Sequence, residues 1–429
     1  MDLTSSRRSA SKDSPTPHSN WWPAAMRWRR ANRAPSASGL KLINPRWRVM
    51  LAGASLFGLA GVPVAMASPY EDFHRGIFLS YANAPGERQD ITRVPKLRIS
   101  FGDAPSEIVM DTGSTGILVS ASRIPNIDVL PSRGDGRLTY SSSGRIMIGR
   151  WVVTPVTIIG GNGATARTAP MPVLAVTRIE CTSWARRCTP TDNPRGVAMM
   201  GVGFGREHDH QTQSGPDRNP FLRIAHIAER ASDAESTREM RRGFIATRHG
   251  VHLGLTAGNT RGAFHYLKLE RAPNGRDWHE TPACISVNNG KAACGEMLVD
   301  TGITTMFLTV PEDQAARALR RGRNRSITLA AGSKVTIAAG TADAPQVSYT
   351  FAAGDRRNPM APDRITFIRR SGGPAFVNTG VHFLNGFDYL FDDDGGHVGF
   401  RWSGHIPHPP GGVSAVRDGP GPDRTQGQR

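Results

Sequence analysis

Short apolar runs that alternate with polar residues recur along most of the chain. Residues 94–101 alternate apolar and polar side chains, as a half-buried strand does, whereas residues 197–204 are apolar throughout, as in a fully buried strand. Similar runs cover 251–255 and 283–287, and the second of these ends in the Asn-Asn-Gly turn at 288–290, a strong hairpin signal. The pattern therefore predicts a chain composed mainly of β-strands.

Two segments have a helical pattern instead. Residues 206–245 are charged and rich in Ala, Arg and Glu, and the helical spacing from Phe221 to about Met240 predicts a helix in a surface insertion. Pro311 predicts the start of a second helix that continues to Arg320, because proline is favoured in the first turn.

An apolar run ends in Asp-Thr-Gly at two places in the chain. Asp111 follows the run that begins at residue 108, and Asp300 follows the run that begins at residue 297. A carboxylate at the end of a buried strand costs free energy unless it is hydrogen-bonded or placed there for chemistry. Because the arrangement occurs once in each of two β-rich halves, we expect two half-sites that meet.

Two carboxyl groups in contact are suited to acid–base chemistry. They cannot both ionise, so they share a proton, and one then acts as an acid while the other acts as a base on water. The glycine after each Asp-Thr permits close approach of another backbone, and neighbouring hydroxyls can bond to a carboxylate or to the opposing loop. The catalytic candidates are Asp111 and Asp300, and the supporting residues are Thr112, Gly113, Ser114, Thr301 and Gly302.

With these motifs the chain resembles the pepsin-like (two-lobed) aspartic peptidases over roughly residues 92–403, and it is similar to an exported bacterial member of that family. The family also has an apolar-apolar-Gly segment behind the first aspartate and a closing hairpin near the end of the second lobe. The matching segments are 111–114, 300–302, 199–201, 378–384, 389–392 and 398–400.

The resemblance implies an all-β, bilobal fold with two pseudo-twofold-related, β-barrel-like lobes and a few short helices. It implies an aspartic endopeptidase that acts on a peptide or protein substrate and needs no metal, nucleotide or other cofactor. Tyr140, followed by Ser141 in a Ser-rich tip, occupies the place of the flap that closes over the substrate in this family.

Two departures from the family pattern affect the site. Ile303 stands where the family has Ser or Thr, so Asp300 loses an outer hydrogen bond and we expect the shared proton to rest on Asp300. Thr304 is the hydroxyl nearest in sequence that could replace it. Leu118 stands in place of a tryptophan that bonds the flap tyrosine, so Tyr140 needs another partner.

The four cysteines form two pairs that are close in sequence. Cys181 and Cys188 could close one short loop, and Cys284 and Cys294 another, as in proteins of oxidising compartments. The sequence alone permits three pairings, and it also permits four reduced thiols. No Cys-x-x-Cys motif or nearby His pair accompanies them, which argues against a metal site.

The N-terminal region has the pattern of an export signal. A basic stretch precedes the apolar residues 49–67, which end with the small residues Ala65 and Ala67, and this predicts cleavage after Ala67 and export to the periplasm or the medium. An uncleaved segment would instead be a membrane anchor. The predicted domains are a signal peptide or anchor at 1–67, an N-terminal extension at 68–91, a first lobe at 92–245, a second lobe at 246–403 and a disordered tail at 404–429.

The formal charge of +17 at pH 7 does not predict a nucleic-acid-binding protein. Residues 1–67 carry about eight of these positive charges, and the others are spread over the chain without a long basic run. We therefore expect a solvated basic surface on a monomer that has no nucleic-acid partner.

A competing hypothesis is that the chain has the same fold but no catalytic activity. An inactive pepsin-like protein would bind peptides or inhibit another enzyme, and the usual mark of such a protein is the loss of one aspartate. Because Asp111 and Asp300 are both present, the sequence favours the enzyme.

Overall fold

The computed structural model describes residues 69–185, 188–207, 211, 213–229, 235–237, 239–322, 326–370, 372–405 and 414–415. The predicted signal segment, 1–67, lies outside the described residues. Of the predicted tail, residues 406–413 and 416–429 also lie outside them.

The chain is built of β-strands, as predicted from the alternation of apolar and polar residues. The strands before residue 240 are β1 (Ile77–Ser80), β2 (Lys96–Ser100), β3 (Ser106–Asp111), β4 (Thr115–Ser120), β5 (Ser132–Tyr140), β6 (Arg145–Thr154), β7 (Thr157–Ile159), β8 (Thr165–Thr168), β9 (Met171–Cys181), β10 (Thr191–Asp192), β11 (Ala198–Val202), β12 (Ile224–Ala228) and β13 (Glu235–Ser236).

The later strands include a second set of long hairpins. They are β14 (Arg241–Ala246), β15 (Gly250–Leu255), β16 (Phe264–Lys268), β17 (Thr281–Val287), β18 (Ala293–Leu298), β19 (Met306–Thr309), β20 (Leu319–Arg321), β21 (Ile327–Leu329), β22 (Lys334–Gly340), β23 (Pro345–Ala352), β24 (Ile365–Phe367), β25 (Ala375–Asn378), β26 (Phe387–Asp392), β27 (His397–Trp402) and β28 (Ser414–Ala415).

These strands form three sheets, and each of the two larger sheets carries one Asp-Thr-Gly loop. The first large sheet has the order β13-β12-β8-β7-β2-β3-β11-β4-β9-β6-β5, with β10 paired to β9. The second has the order β20-β21-β24-β19-β25-β18-β17-β22-β23-β28. The all-β class with two halves that was predicted is confirmed, and each half contains its own crossing strand beside an aspartate.

The third sheet combines strands that are far apart in the sequence. Its order is β1-β15-β14-β26-β27-β16, so it includes a strand from the predicted N-terminal extension and strands from the region after residue 240. The predicted lobe boundary between residues 245 and 246 falls inside β14. Tyr70 anchors the segment before β1, because its buried hydroxyl donates to Asp392 at 3.1 Å.

Local signals in the sequence account for some turns and not for others. Asn288 and Asn289 both have positive φ and the N–H of Gly290 donates to the carbonyl of Val287 at 3.0 Å, so the predicted Asn-Asn-Gly turn is present. It lies within the longer connection between β17 and β18, whose ladder ends at Ile285 opposite Ala293. The α-helix Glu312–Ala315 begins after Pro311 as predicted, but it continues only as the 3₁₀ helix Ala316–Ala318 before β20 starts.

The helix predicted from Phe221 to Met240 is wrong for the described part of that segment. The 3₁₀ helices Pro216–Arg218 and Pro220–Leu222 are followed by strand β12, which pairs with β8 in an antiparallel register. The backbone N–H and C=O groups along the edge of β8 need hydrogen-bond partners, and β12 provides them. This pairing also buries the side chain of Ile227. Tertiary pairing therefore overrides the local helical spacing.

The other helices within the described residues are equally short. They are the 3₁₀ helices Ala121–Arg123, Ile127–Val129 and Val381–Asn385. Among the helices of the described residues, none has the length and apolar character needed to cross a bilayer.

Candidate active site

The two Asp-Thr-Gly loops begin where two buried strands end. Strand β3 ends at Asp111, and the crossing strand β11 runs parallel to it with Gly201 opposite Asp111. In the second half β25 runs parallel to β18 with Asn378 opposite Leu298, two residues before Asp300. The resemblance between the two motifs in sequence is therefore a resemblance in local topology as well.

The threonines of the two motifs join the loops. The backbone N–H of Thr112 donates to Oγ1 of Thr301, and the backbone N–H of Thr301 donates to Oγ1 of Thr112, each at 3.1 Å. The hydroxyl of Thr301 donates to the carbonyl of Met110 at 2.7 Å, and that of Thr112 donates to the carbonyl of Val299 at 2.5 Å. The expectation that these hydroxyls bond across to the opposing loop is met.

Each aspartate lies against the glycine of the other loop. A Cβ atom added at Gly113 would overlap the carboxyl group of Asp300, and one added at Gly302 would lie 2.5 Å from Oδ1 of Asp111. Both aspartates are buried, with 4% of Asp111 and 6% of Asp300 exposed. The structure therefore brings the two predicted carboxyls and their predicted supporting residues into one site.

The carboxyl of Asp111 is held by two donors from its own loop. The backbone N–H of Gly113 donates to Oδ1 at 2.7 Å, and the hydroxyl of Ser114 donates to Oδ2 at 2.5 Å. These are the contacts that the sequence led us to expect for this aspartate.

The carboxyl of Asp300 has a matching pair of donors, one of which comes from a distant residue. The backbone N–H of Gly302 donates to Oδ1 at 2.8 Å, and the side-chain amide of Asn378 donates to Oδ2 at 2.6 Å. The suggestion that Thr304 supplies this bond is therefore replaced by Asn378. Sequence reasoning missed this role, although Asn378 lies in the segment 378–384 that carried part of the family resemblance.

The pKa of Asp300 is raised above the usual range of an aspartate. Burial is the largest cause and the neighbouring charge of Asp111 the second, whereas the bond from Asn378 acts in the opposite direction. The direction agrees with the prediction that the proton rests on Asp300. The reason differs, because the outer hydrogen bond is present and burial decides the shift.

The flap candidate Tyr140 lies at this site. It is the last residue of β5, and the turn at 141–144 connects it to β6. Its buried hydroxyl lies beside Ser114, whose own proton goes to Asp111, but the geometry falls short of a full hydrogen bond. Burial, followed by the charge of Asp111, holds the pKa of Tyr140 well above the usual tyrosine range. Ser141 begins the exposed turn, and its contact with substrate stays a prediction.

A tryptophan does pack beside the flap, but it comes from another strand. Leu118 is buried in one cluster with Trp151 of β6, and Tyr140 packs against that cluster. The indole N–H of Trp151 donates to the side-chain carbonyl of Gln213 at 2.9 Å, and the guanidinium of Arg218 lies 4.0 Å above the ring. Trp151 therefore supports the base of the flap and does not bond Tyr140.

Both predicted disulfides are formed, and one of them lies beside the flap tip. Cys181 is bonded to Cys188, and Cys284 to Cys294. Strand β9 pairs with β6 along its whole length, and beyond it the backbone N–H of Thr182 donates to the carbonyl of Gly144 at 2.9 Å. The loop closed by the first disulfide therefore touches the turn of the flap.

Comparisons with known proteins gave one kind of match. No family model and no curated protein sequence matches the chain. Among solved structures, the chain is similar to the aspartic proteinase from Irpex lacteus, with 13% sequence identity, a TM-score of 0.47, and coverage of 77% of this chain and 98% of that chain.

Proposed function

We propose that this chain is an aspartic-type endopeptidase that hydrolyses peptide bonds with a water molecule activated between Asp111 and Asp300. The observation that carries the proposal is the pair of buried carboxyls, each held by one backbone N–H and one side-chain donor. Groups arranged in this way are fixed in orientation before substrate binds, which is what acid–base catalysis requires.

The raised pKa of Asp300 assigns the two roles in this proposal. Ionised Asp111 takes a proton from water as the water oxygen attacks the carbonyl carbon, and neutral Asp300 gives its proton to the carbonyl oxygen. The tetrahedral intermediate then collapses. Asp111 passes its proton to the amine nitrogen, the C–N bond breaks, and Asp300 recovers a proton from a hydroxyl of the intermediate. One proton is again shared by the pair.

The substrate that fits this proposal is an extended peptide lying beneath the β5–β6 hairpin. An extended peptide can form backbone hydrogen bonds with such a hairpin, and closure of the hairpin would exclude water from the reacting bond. Tyr140 supports this because its hydroxyl already lies beside Ser114 at the dyad.

The proposal places the protein outside the cytoplasm, as a monomer. Two disulfides in the described residues agree with an oxidising compartment, and the predicted signal peptide gives a route of export. Mass spectrometry of the N-terminus of the mature protein tests this, and we expect a cut after Ala67.

The experiment that tests the activity is cleavage of a mixed peptide library over about pH 3 to 7, followed by mass spectrometry. The wild type, Asp111→Asn and Asp300→Asn are compared, and we expect cleavage only by the wild type. Circular dichroism and thermal melting show whether both variants fold. If the folded wild type cleaves no peptide, or if both variants cleave as the wild type does, the peptide-binding alternative is favoured.

A further inference from the structure

The two halves of the site carry their side-chain donors at different positions. In the first half the donor is Ser114, three residues after Asp111, and it bonds Oδ2 of that aspartate. The crossing strand β11 carries Met199 two residues before Gly201, and this side chain packs against the cluster that supports the flap. The first half therefore has a polar residue in the loop and an apolar residue on the crossing strand.

In the second half the polar and apolar residues have exchanged places. The residue three positions after Asp300 is Ile303, which has no polar side-chain atom. The crossing strand β25 ends at Asn378, two residues before Gly380, and Asn378 bonds Oδ2 of Asp300. The donor reaches the same carboxyl oxygen as in the first half, but from a different element.

The orientation of the Asn378 amide is fixed by a second bond. The backbone N–H of Gly380 donates to its carbonyl oxygen, Oδ1, at 3.1 Å. The N–H of Gly380 can bond only to the oxygen of the amide, because the amide nitrogen is itself a donor. The side-chain nitrogen of Asn378 must therefore face Asp300. The side chain is 5% exposed, so water does not compete for these bonds.

We propose that Asn378 is the positioning residue of Asp300 and does for it what Ser114 does for Asp111. The inference rests on the proposed peptidase function and identifies a further residue on which that function depends. A hydroxyl can donate or accept, whereas an amide N–H can only donate. Asn378 therefore donates to Oδ2 of Asp300 whether that carboxyl is neutral or ionised, as the backbone N–H of Gly302 does to Oδ1.

Asn378→Asp removes the side-chain donor to Asp300 but keeps the acceptor for the backbone N–H of Gly380. The new carboxylate can still accept the backbone N–H of Gly380, but it cannot donate to Asp300. We expect kcat to fall about tenfold to a hundredfold with KM nearly unchanged, as for the loss of one hydrogen bond to a charged group. The alkaline limb of the pH profile should move to higher pH, because the lost donor and the added negative charge both favour neutral Asp300.

A double variant tests whether the donor itself matters or only the residue type at position 378. This variant combines Ile303→Ser with Asn378→Met. It reproduces the first half of the site, where a serine lies in the loop and a methionine lies on the crossing strand. We expect Asn378→Met alone to lose kcat as Asn378→Asp does. The double variant should recover to within about fivefold of the wild type, because the hydroxyl again supports the aspartate.

Asn385→Asp is the matched control. Asn385 is buried in the 3₁₀ helix Val381–Asn385, and its amide donates to the carbonyls of Ile91 and Pro359, away from the dyad. We expect a lower melting temperature and an alkaline limb at the wild-type position. If Asn378 had a purely structural role, its variants would also show a lower melting temperature and an alkaline limb at the wild-type position.

The outcomes separate this inference from the proposed function. If Asp300→Asn is inactive while Asn378→Asp and Asn378→Met keep the wild-type kcat and pH profile, the inference is overturned and the peptidase proposal stands. If Asp300→Asn cleaves peptides, the peptidase proposal itself fails. If the single variants at 378 do not fold, the double variant decides, since a folded but inactive double variant overturns the inference.

Discussion

The side-chain hydroxyl of Thr112 accepts the backbone N–H of Thr301, and the hydroxyl of Thr301 accepts that of Thr112, each at 3.1 Å. The two residues are 189 positions apart in the chain. Each hydroxyl also donates to a backbone carbonyl of the opposing loop. The two loops are therefore joined by four hydrogen bonds in a buried region. This junction fixes the separation of Asp111 and Asp300, on which the proposed chemistry depends.

Thr301→Val should be costly for stability. Valine has nearly the shape of threonine, but it leaves the N–H of Thr112 and the carbonyl of Met110 without these partners. We expect the free energy of unfolding to fall by about 2–5 kcal/mol, the cost of two buried unsatisfied groups. Thr309→Val, which removes a single bond to the carbonyl of Ile368 at 3.2 Å, is the control. Denaturant unfolding that gives equal losses for the two variants would contradict this role.

Gly113→Ala should abolish activity although it adds only one methyl group. The new Cβ would overlap the carboxyl of Asp300, so one of the loops must shift. A misplacement of about 1 Å costs about a hundredfold in rate, and we expect at least that loss in kcat. Gly196→Ala is the matched control, because no atom lies within 4 Å of the added Cβ there. A Gly113→Ala variant as active as Gly196→Ala would show that the carboxyls are not held in contact.

The pH dependence of activity should reflect the raised pKa of Asp300. Activity needs the shared proton, so it should persist above the ordinary aspartate pKa of about 3.9 and decline as pH rises through the raised pKa of Asp300. Rates measured with one cleaved library peptide across the pH range give this limb. A limb at the ordinary aspartate pKa would contradict the prediction.

Stability should depend on the same proton. The unfolded chain releases it near pH 3.9, whereas the folded protein keeps it to higher pH because its pKa is raised. The contribution of Asp300 to stability is therefore greatest below about pH 3.9 and is lost as pH rises toward the raised pKa. Asp300→Asn, which is neutral at every pH, should lose less stability over this range, and urea unfolding at several pH values measures the difference.

The disulfide beside the flap should affect substrate binding. The loop closed by Cys181 and Cys188 contacts the flap turn through Thr182 and Gly144, so opening it should loosen that turn. We expect Cys181→Ser/Cys188→Ser to raise KM more than it lowers kcat. Each disulfide closes a short loop, and removal of either should cost about 2 kcal/mol.

The control for this prediction is Cys284→Ser/Cys294→Ser. That disulfide joins β17 and β18, away from the flap turn, so its loss should lower the melting temperature and leave KM near the wild-type value. Steady-state kinetics with thermal melting compares the two pairs. Equal changes in KM for both would argue against a role for the first disulfide at the flap.

The helical prediction for residues 221–240 shows where local pattern is insufficient. Apolar spacing there fits a helix when the segment is considered alone, but Ile227 lies in strand β12 and pairs with Ala166 of β8. The partner residues in β8 precede those in β12 by 56 to 63 positions, so no window of the segment contains them. The conformation of this segment was decided by its pairing with β8, and the local spacing of apolar residues carries no information about that strand.

The sequence by itself determined most of the strands, the Asn-Asn-Gly turn, the two aspartates with their adjacent glycines and threonines, and the bond between Ser114 and Asp111. Each of these depends on neighbours within a few residues, where the chain's geometry leaves few alternatives. Only the tertiary structure decided which group supports Asp300. Asn378 is 78 positions from that aspartate, and the bond exists because β25 runs beside β18. The support of Trp151 by Gln213, 62 positions away, was decided in the same way. A hydrogen bond between distant residues depends on sheet order, and sheet order is set by the burial of the whole core.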